Sequence, residues 1–121
     1  MSDLLASTLK EIEFSIELIQ KRFAGIKQSS DFLADENGLE KLDSISMRLI
    51  AIGEAFKNID KLTDKKLLAN YPQIDWKGIK GIRDILSHHY FDMDSEVIFE
   101  ICSKKLDELL AVIKQMIGEN L

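Results

Sequence analysis

One stretch, Arg83 to Tyr90, with the sequence R-D-I-L-S-H-H-Y, combines an arginine, both of the chain's histidines, an acid and a tyrosine within eight positions. Arginine binds phosphate through a planar fork that stays charged at any working pH. Histidine titrates near neutrality, so it can take or give a proton within one turnover. Together the two suffice for attack of an RNA 2′-hydroxyl on its neighbouring phosphate, because histidine moves the proton while arginine offsets charge on the phosphoryl oxygens.

The spacing of Arg83 and His88 constrains this chemistry. The two residues are five positions apart, so on a continuous helix they point about 140° away from each other. Either the helix loosens before His88, or a second subunit completes the site. The alternative without catalysis is a surface pair that caps the end of a helix.

The sequence does not predict a metal or cofactor site. It contains one cysteine and no H-E-x-x-H pattern, and the RNA reaction described above requires no metal. Cys102 lies among Ile98, Ile101 and Leu106, which predicts a buried core thiol rather than a nucleophile. A single cysteine cannot form an internal disulfide, which fits a reducing cytosol, so we expect a cytoplasmic protein.

Composition predicts one folded domain over residues 1–121. Hydrophobic residues make up 45% and charged residues 31% of the chain, which argues against disorder. A net charge of −5 argues against strong non-specific binding to nucleic acid, but leaves room for a local basic site. We find no signal peptide and no apolar run long enough to span a membrane, so we expect no membrane partner.

Apolar stripes at alternating spacings of three and four predict an all-α fold, an up-and-down four-helix bundle with a short extra connecting helix. Ser2 can cap the first helix, and Asn37 with Glu40 resembles a capping box for the second. Gly53, inside the second stripe, indicates close approach by another helix. Glu54 beside it is either a solvated charge or a carboxylate directed at Arg83. The stripes of the first two helices are Leu5, Leu9, Ile12, Ile16, Ile19, Phe23 and Ile26, then Leu42, Ile45, Leu49, Ile52, Phe56 and Ile59.

The third helix, predicted to start at Trp76 after an Asp75 cap, has three faces. The core face holds Trp76, Ile79, Ile82, Leu86 and Tyr90. The small-residue face, defined by Gly78, Gly81 and Ile85, has no role in a lone bundle and predicts packing against a second copy, hence a homodimer. Lys77 and Lys80 take the solvent side and are candidate RNA contacts.

The last helix is predicted from about residue 95 to residue 117. Asp92 or Asp94 can cap its start, and Gly118 can end it. Between the second and third helices, Thr63 can cap the connecting helix over residues 64–69.

These residues resemble a known family. Arg83, His88 and Tyr90 match the R-x4-H-x-Y motif of the HEPN superfamily, and their surroundings are similar to its HepT-like toxin branch. The likeness covers nearly the whole chain. Further matches are the I-G-E-A stretch at 52–55, Pro72, Trp76, and the G-x-R-[ND] run that begins at Gly81.

The resemblance implies a dimeric, metal-independent ribonuclease with Arg83 and His88 as catalytic residues, supported by Asp84 and Glu54. It also implies the toxin of a type VII toxin–antitoxin pair, whose partner is an MntA-like minimal nucleotidyltransferase that adenylylates the motif tyrosine, here Tyr90. Other members of the superfamily only bind nucleotides or proteins. The alternative is therefore a non-catalytic module that binds a nucleotide or a nucleotidyltransferase.

Overall fold

The computed structural model describes residues 2–87 and 95–120. Over these residues the chain is helical and contains no strand, which confirms the predicted all-α bundle. The helices, in chain order, are α1 Asp3–Phe23, a 3-10 helix Ser29–Leu33, α2 Glu36–Thr63, α3 Lys66–Ala69, α4 Trp76–Lys80, α5 Ile82–Ser87, α6 Ser95–Glu100, a π-helical segment Ile101–Lys105, and α7 Leu106–Asn120.

The two long N-terminal helices form the body of the bundle. The Oγ of Ser2 accepts the Leu5 N–H at 3.1 Å, so the predicted cap of α1 is confirmed. The cap of α2 was predicted two residues too late. Asp35, and not Asn37, accepts the Gly38 N–H at 2.8 Å, and the backbone of the 3-10 helix lies directly against Gly38. The predicted stripes of both helices are buried, apart from the partly buried Phe23 at the end of α1.

The connecting helix after α2 is two residues shorter than predicted. Asp64 and Lys65 both have left-handed backbone angles, with φ of 53° and 61°, so α2 ends and α3 begins only at Lys66. The Thr63 Oγ1 still accepts the Leu67 N–H, at 3.4 Å. Beyond α3, the indole of Trp76 packs edge-on against Phe56 with centroids 4.9 Å apart, and this contact fixes the start of α4 on α2.

The predicted third helix is broken. It divides at Gly81 into α4 and α5, because the Gly81 N–H is shared between the Lys77 and Gly78 carbonyls and its own carbonyl starts a new turn at Asp84. Ile82 and Leu86 remain buried, as the core face predicted.

The last helix is one continuous run whose register changes in the middle. The π-helical segment Ile101–Lys105 separates α6 from α7, and the Ser103 Oγ donates back to the Phe99 carbonyl at 2.7 Å. Helical geometry continues to Asn120, so Gly118 does not end the helix as predicted. The proposed caps Asp92 and Asp94 lie outside the described residues. Within the ranges that the structure describes, no helix combines the length and apolarity needed to cross a bilayer.

Candidate active site around Arg83

Arg83 is the second residue of α5, directly after the break at Gly81. Its neighbours Ile82 and Leu86, one turn apart, are 4% and 3% exposed and anchor α5 in the core. A side chain one position after Ile82 is rotated by about 100° from that buried face. The Arg83 side chain is accordingly 67% exposed, and its guanidinium is accessible to a ligand.

Gly53 brings α2 and α4 together at this point. A Cβ built at Gly53 would lie 2.6 Å from the Ile79 carbonyl oxygen, which is closer than real Cβ contacts. The absent side chain therefore lets the end of α4 lie directly on α2, as the sequence predicted. Arg83 comes four residues after Ile79 and Glu54 comes one residue after Gly53, so the same contact places the two charged side chains next to each other.

The Glu54 carboxylate binds two cations. Its Oε1 lies 3.3 Å from Arg83 Nη1, and its Oε2 lies 3.4 Å from Lys57 Nζ. The hydrogen bond from Arg83, and after it the one from Lys57, holds the pKa of the Glu54 carboxyl below its ordinary value. Of the two interpretations left open by the sequence, the carboxylate directed at Arg83 is the one observed, although Glu54 is also 38% exposed.

The two lysines proposed as RNA contacts differ. Lys77 is exposed on α4. Lys80 does not face solvent as predicted: its side chain is only 28% exposed, and its Nζ lies 2.5 Å from Asp60 Oδ2. The Lys80 ammonium, which the sequence suggested as an RNA contact, is thus paired with Asp60 within the chain. Asp84, beside the arginine, is exposed, and its backbone N–H donates to the Gly81 carbonyl at 3.0 Å.

The other motif residues cannot be placed. His88, His89 and Tyr90 lie outside the described residues, so the proposed roles of His88 as the base and of Tyr90 as the modification site stay predictions. Among the residues that the structure does describe, no group of three or more histidine, cysteine or acidic side chains could hold a metal ion. Burial raises the pKa of the Cys102 thiol to about 12, in agreement with a core role.

The small-residue face is only partly explained within one chain. Gly78 carries no side chain because its own cap, Asp75, occupies that space. Gly81 adopts the turn that separates α4 from α5. Ile85 is 45% exposed. Together with Gly78 and Ile82 it lines a groove of about 440 Å³ whose opposite wall includes Val97 and Ile101.

Comparison with known proteins decides the family. Residues 12–116 match the family model described as "Ribonuclease HepT-like". The chain belongs to the HepT-like family. The predicted membership is thus confirmed, and with it a function of the ribonuclease type.

Two relatives of this HepT-like chain illustrate the likeness. It is 34% identical over 113 residues to "Putative RNase TTE0752" of Caldanaerobacter subterraneus subsp. tengcongensis, covering 93% of this chain and 90% of the relative. It is 34% identical over 101 residues to "Probable ribonuclease HepT" of Thermococcus cleftensis, covering 84% of each. No solved structure gives a significant match.

Sequence reasoning missed two residues of this HepT-like site, Lys57 and Asp60. Both lie on α2, where Lys57 pairs with Glu54 three residues earlier and Asp60 pairs with Lys80 of α4. The spacing of Lys57 from Glu54 was a usable signal, since residues three apart on a helix are neighbours. The partner of Asp60, however, depends on the packing of α4 against α2.

Proposed function

We propose that this HepT-like protein is a metal-independent endoribonuclease, the toxin of a type VII HepT/MntA-like pair, acting at a composite site in a homodimer. The observation that carries the proposal is the exposed Arg83 guanidinium, held on Glu54 five residues before His88. An exposed cation that stays charged and has a fixed partner suits recognition of a phosphate.

In the proposed reaction the RNA supplies its own nucleophile. His88 removes the proton of the 2′-hydroxyl, the 2′-oxygen forms a bond to the adjacent phosphorus, and the bond from phosphorus to the 5′-oxygen breaks. Arg83 binds the phosphoryl oxygens, where negative charge increases in the transition state. His88 then gives its proton to the leaving 5′-oxygen and becomes neutral again, and the products are a cyclic phosphate and a 5′-hydroxyl end. The chemistry uses no metal-bound water.

The direct test is incubation of the purified protein with RNA in excess EDTA. We expect cleavage that leaves cyclic phosphate ends and is lost in both Arg83→Ala and His88→Ala. RNA that stays intact with the unmodified protein at micromolar concentration would refute the enzymatic proposal.

We assign Glu54 as a positioning residue for Arg83. Glu54→Ala removes a negative charge from the phosphate site but also releases the guanidinium from its anchor. We therefore expect tighter RNA binding together with a lower kcat, whereas a purely structural role would weaken both. Glu54→Gln keeps an oxygen that can accept from Arg83 and should restore part of kcat.

The homodimer is supported by Ile85, which is apolar, 45% exposed and two residues from Arg83. Because Gly81 has a local role in the helix break, Ile85→Asp is a better test of association than Gly81→Leu. We expect Ile85→Asp to be monomeric by light scattering. Leu62→Asp, at a 44% exposed leucine near the end of α2, is the matched control and should remain dimeric. An unmodified protein that is itself monomeric at micromolar concentration would refute the dimer.

A second function is favoured by the charge pairing. Glu54 and Asp60 partly neutralise Arg83 and Lys80, and the chain carries a net charge of −5. A non-catalytic module that binds a nucleotide or a nucleotidyltransferase would have the same features. Intact RNA together with tight binding to an MntA-like nucleotidyltransferase would select this alternative.

A further inference from the structure

We infer that Lys57 is a second backbone-phosphate contact of the RNA site, presented beside Arg83 by the shared Glu54 carboxylate. This inference rests on the proposed ribonuclease function and adds a substrate-binding residue to it. The observation is that Lys57 Nζ and Arg83 Nη1 lie 3.4 Å and 3.3 Å from the two oxygens of one carboxylate.

The backbone under Lys57 is rigid. Lys57 lies within the continuous helix α2, six residues before its end, between Phe56 and Ile59, both of which are fully buried. Its side chain is 43% exposed, so it is accessible to a ligand in solvent. Position and accessibility together suit a contact with a long, flexible polyanion.

The Glu54 carboxylate lies between two cations, and an incoming phosphate would interact with the same two cations. Two positive charges share the one negative charge of Glu54, so this group of three side chains carries a net charge of +1 in a protein whose net charge is −5. An incoming phosphate can bind the free donors of both cations while Glu54 keeps them side by side. Arginine has five N–H donors and lysine three, so both cations keep donors for the phosphate while they remain paired with Glu54.

Lys80 is a weaker candidate than the sequence predicted. It is 28% exposed, and its partner Asp60 is only 13% exposed, so the pair is more buried than the pairs of Glu54. Separating a partly buried pair leaves a charge with less water around it, which is more costly than opening an exposed pair. The structure therefore favours Lys57 over Lys80 as the partner of Arg83 in binding phosphate.

The test measures the salt dependence of binding to a single-stranded 2′-O-methyl oligonucleotide, which lacks the nucleophile and cannot be cleaved. Each phosphate contact to a single strand contributes a slope of about −0.7 in the plot of log affinity against log salt. We expect Lys57→Gln to reduce the slope by about that amount, which corresponds to about five-fold weaker binding at about 0.1 M salt.

Lys41→Gln is the matched control. Lys41 is a partly exposed lysine of the same helix, sixteen residues earlier and so about 24 Å along the axis. The Lys41→Gln substitution removes the same charge from the protein but should leave the slope of log affinity against log salt unchanged. If the two variants have equal slopes while RNA is still bound and cleaved, the role of Lys57 is refuted but the proposed ribonuclease function is not. If the unmodified protein does not bind the oligonucleotide, the proposed function fails, and this inference fails with it.

Discussion

Replacement of Gly53 by alanine tests the contact on which the geometry of the site depends. The new Cβ would lie 2.6 Å from the Ile79 carbonyl oxygen, a backbone atom that cannot rotate away. Overpacking of this kind costs about 1–3 kcal/mol. Alanine also favours the helix by about 1 kcal/mol over glycine, so the net loss of unfolding free energy should be about 1 kcal/mol.

Gly118→Ala is the matched control, because nothing lies within 4 Å of a Cβ at that position. Both variants gain helix propensity, so the difference between them isolates the contact with Ile79. We expect Gly53→Ala to be less stable than Gly118→Ala by about 1–3 kcal/mol in urea unfolding, or lower in Tm by about 4 °C per kcal/mol.

The same substitution should displace Arg83. Moving the end of α4 away from α2 separates the guanidinium from Glu54, so RNA cleavage should fall by more than the loss of folded protein explains. Two results would refute the reasoning: stability equal to that of Gly118→Ala, or full activity in a destabilised Gly53→Ala.

The remaining predictions concern the motif and the cysteine. Arg83→Ala and His88→Ala should each abolish RNA cleavage, whereas His89→Ala should reduce it far less; a dead His89→Ala beside an active His88→Ala would reassign the base. Tyr90→Phe should fold normally but resist control by a co-expressed MntA-like nucleotidyltransferase, since it lacks the acceptor oxygen; a nucleotide mass on another residue, with growth rescued, would exclude Tyr90 as the control point. Cys102, whose thiol pKa is raised to about 12 by burial, should resist alkylation at neutral pH in the folded protein and react readily in urea, as mass analysis would show.

The sequence by itself determined the helical class and most of the core. Stripes with spacings of three and four are a local property of an amphipathic helix, and they correctly located the buried faces of α1 and α2. The capping rule also succeeded at Ser2 and Asp75, where a side chain reaches a backbone N–H three residues on. It failed at Asn37, because Asp35 meets the same requirement two residues earlier.

Tertiary structure decided which charges meet. The sequence offered Glu54 as a partner of Arg83 only as one of two alternatives, and it assigned Lys80 to solvent and omitted Lys57 and Asp60. Pairs that are 20 and 29 residues apart depend on how closely α4 and α5 approach α2. That distance is set by the missing side chain of Gly53 against the Ile79 carbonyl and by the break at Gly81. Helix periodicity describes each helix alone, so it cannot determine either the approach or the break.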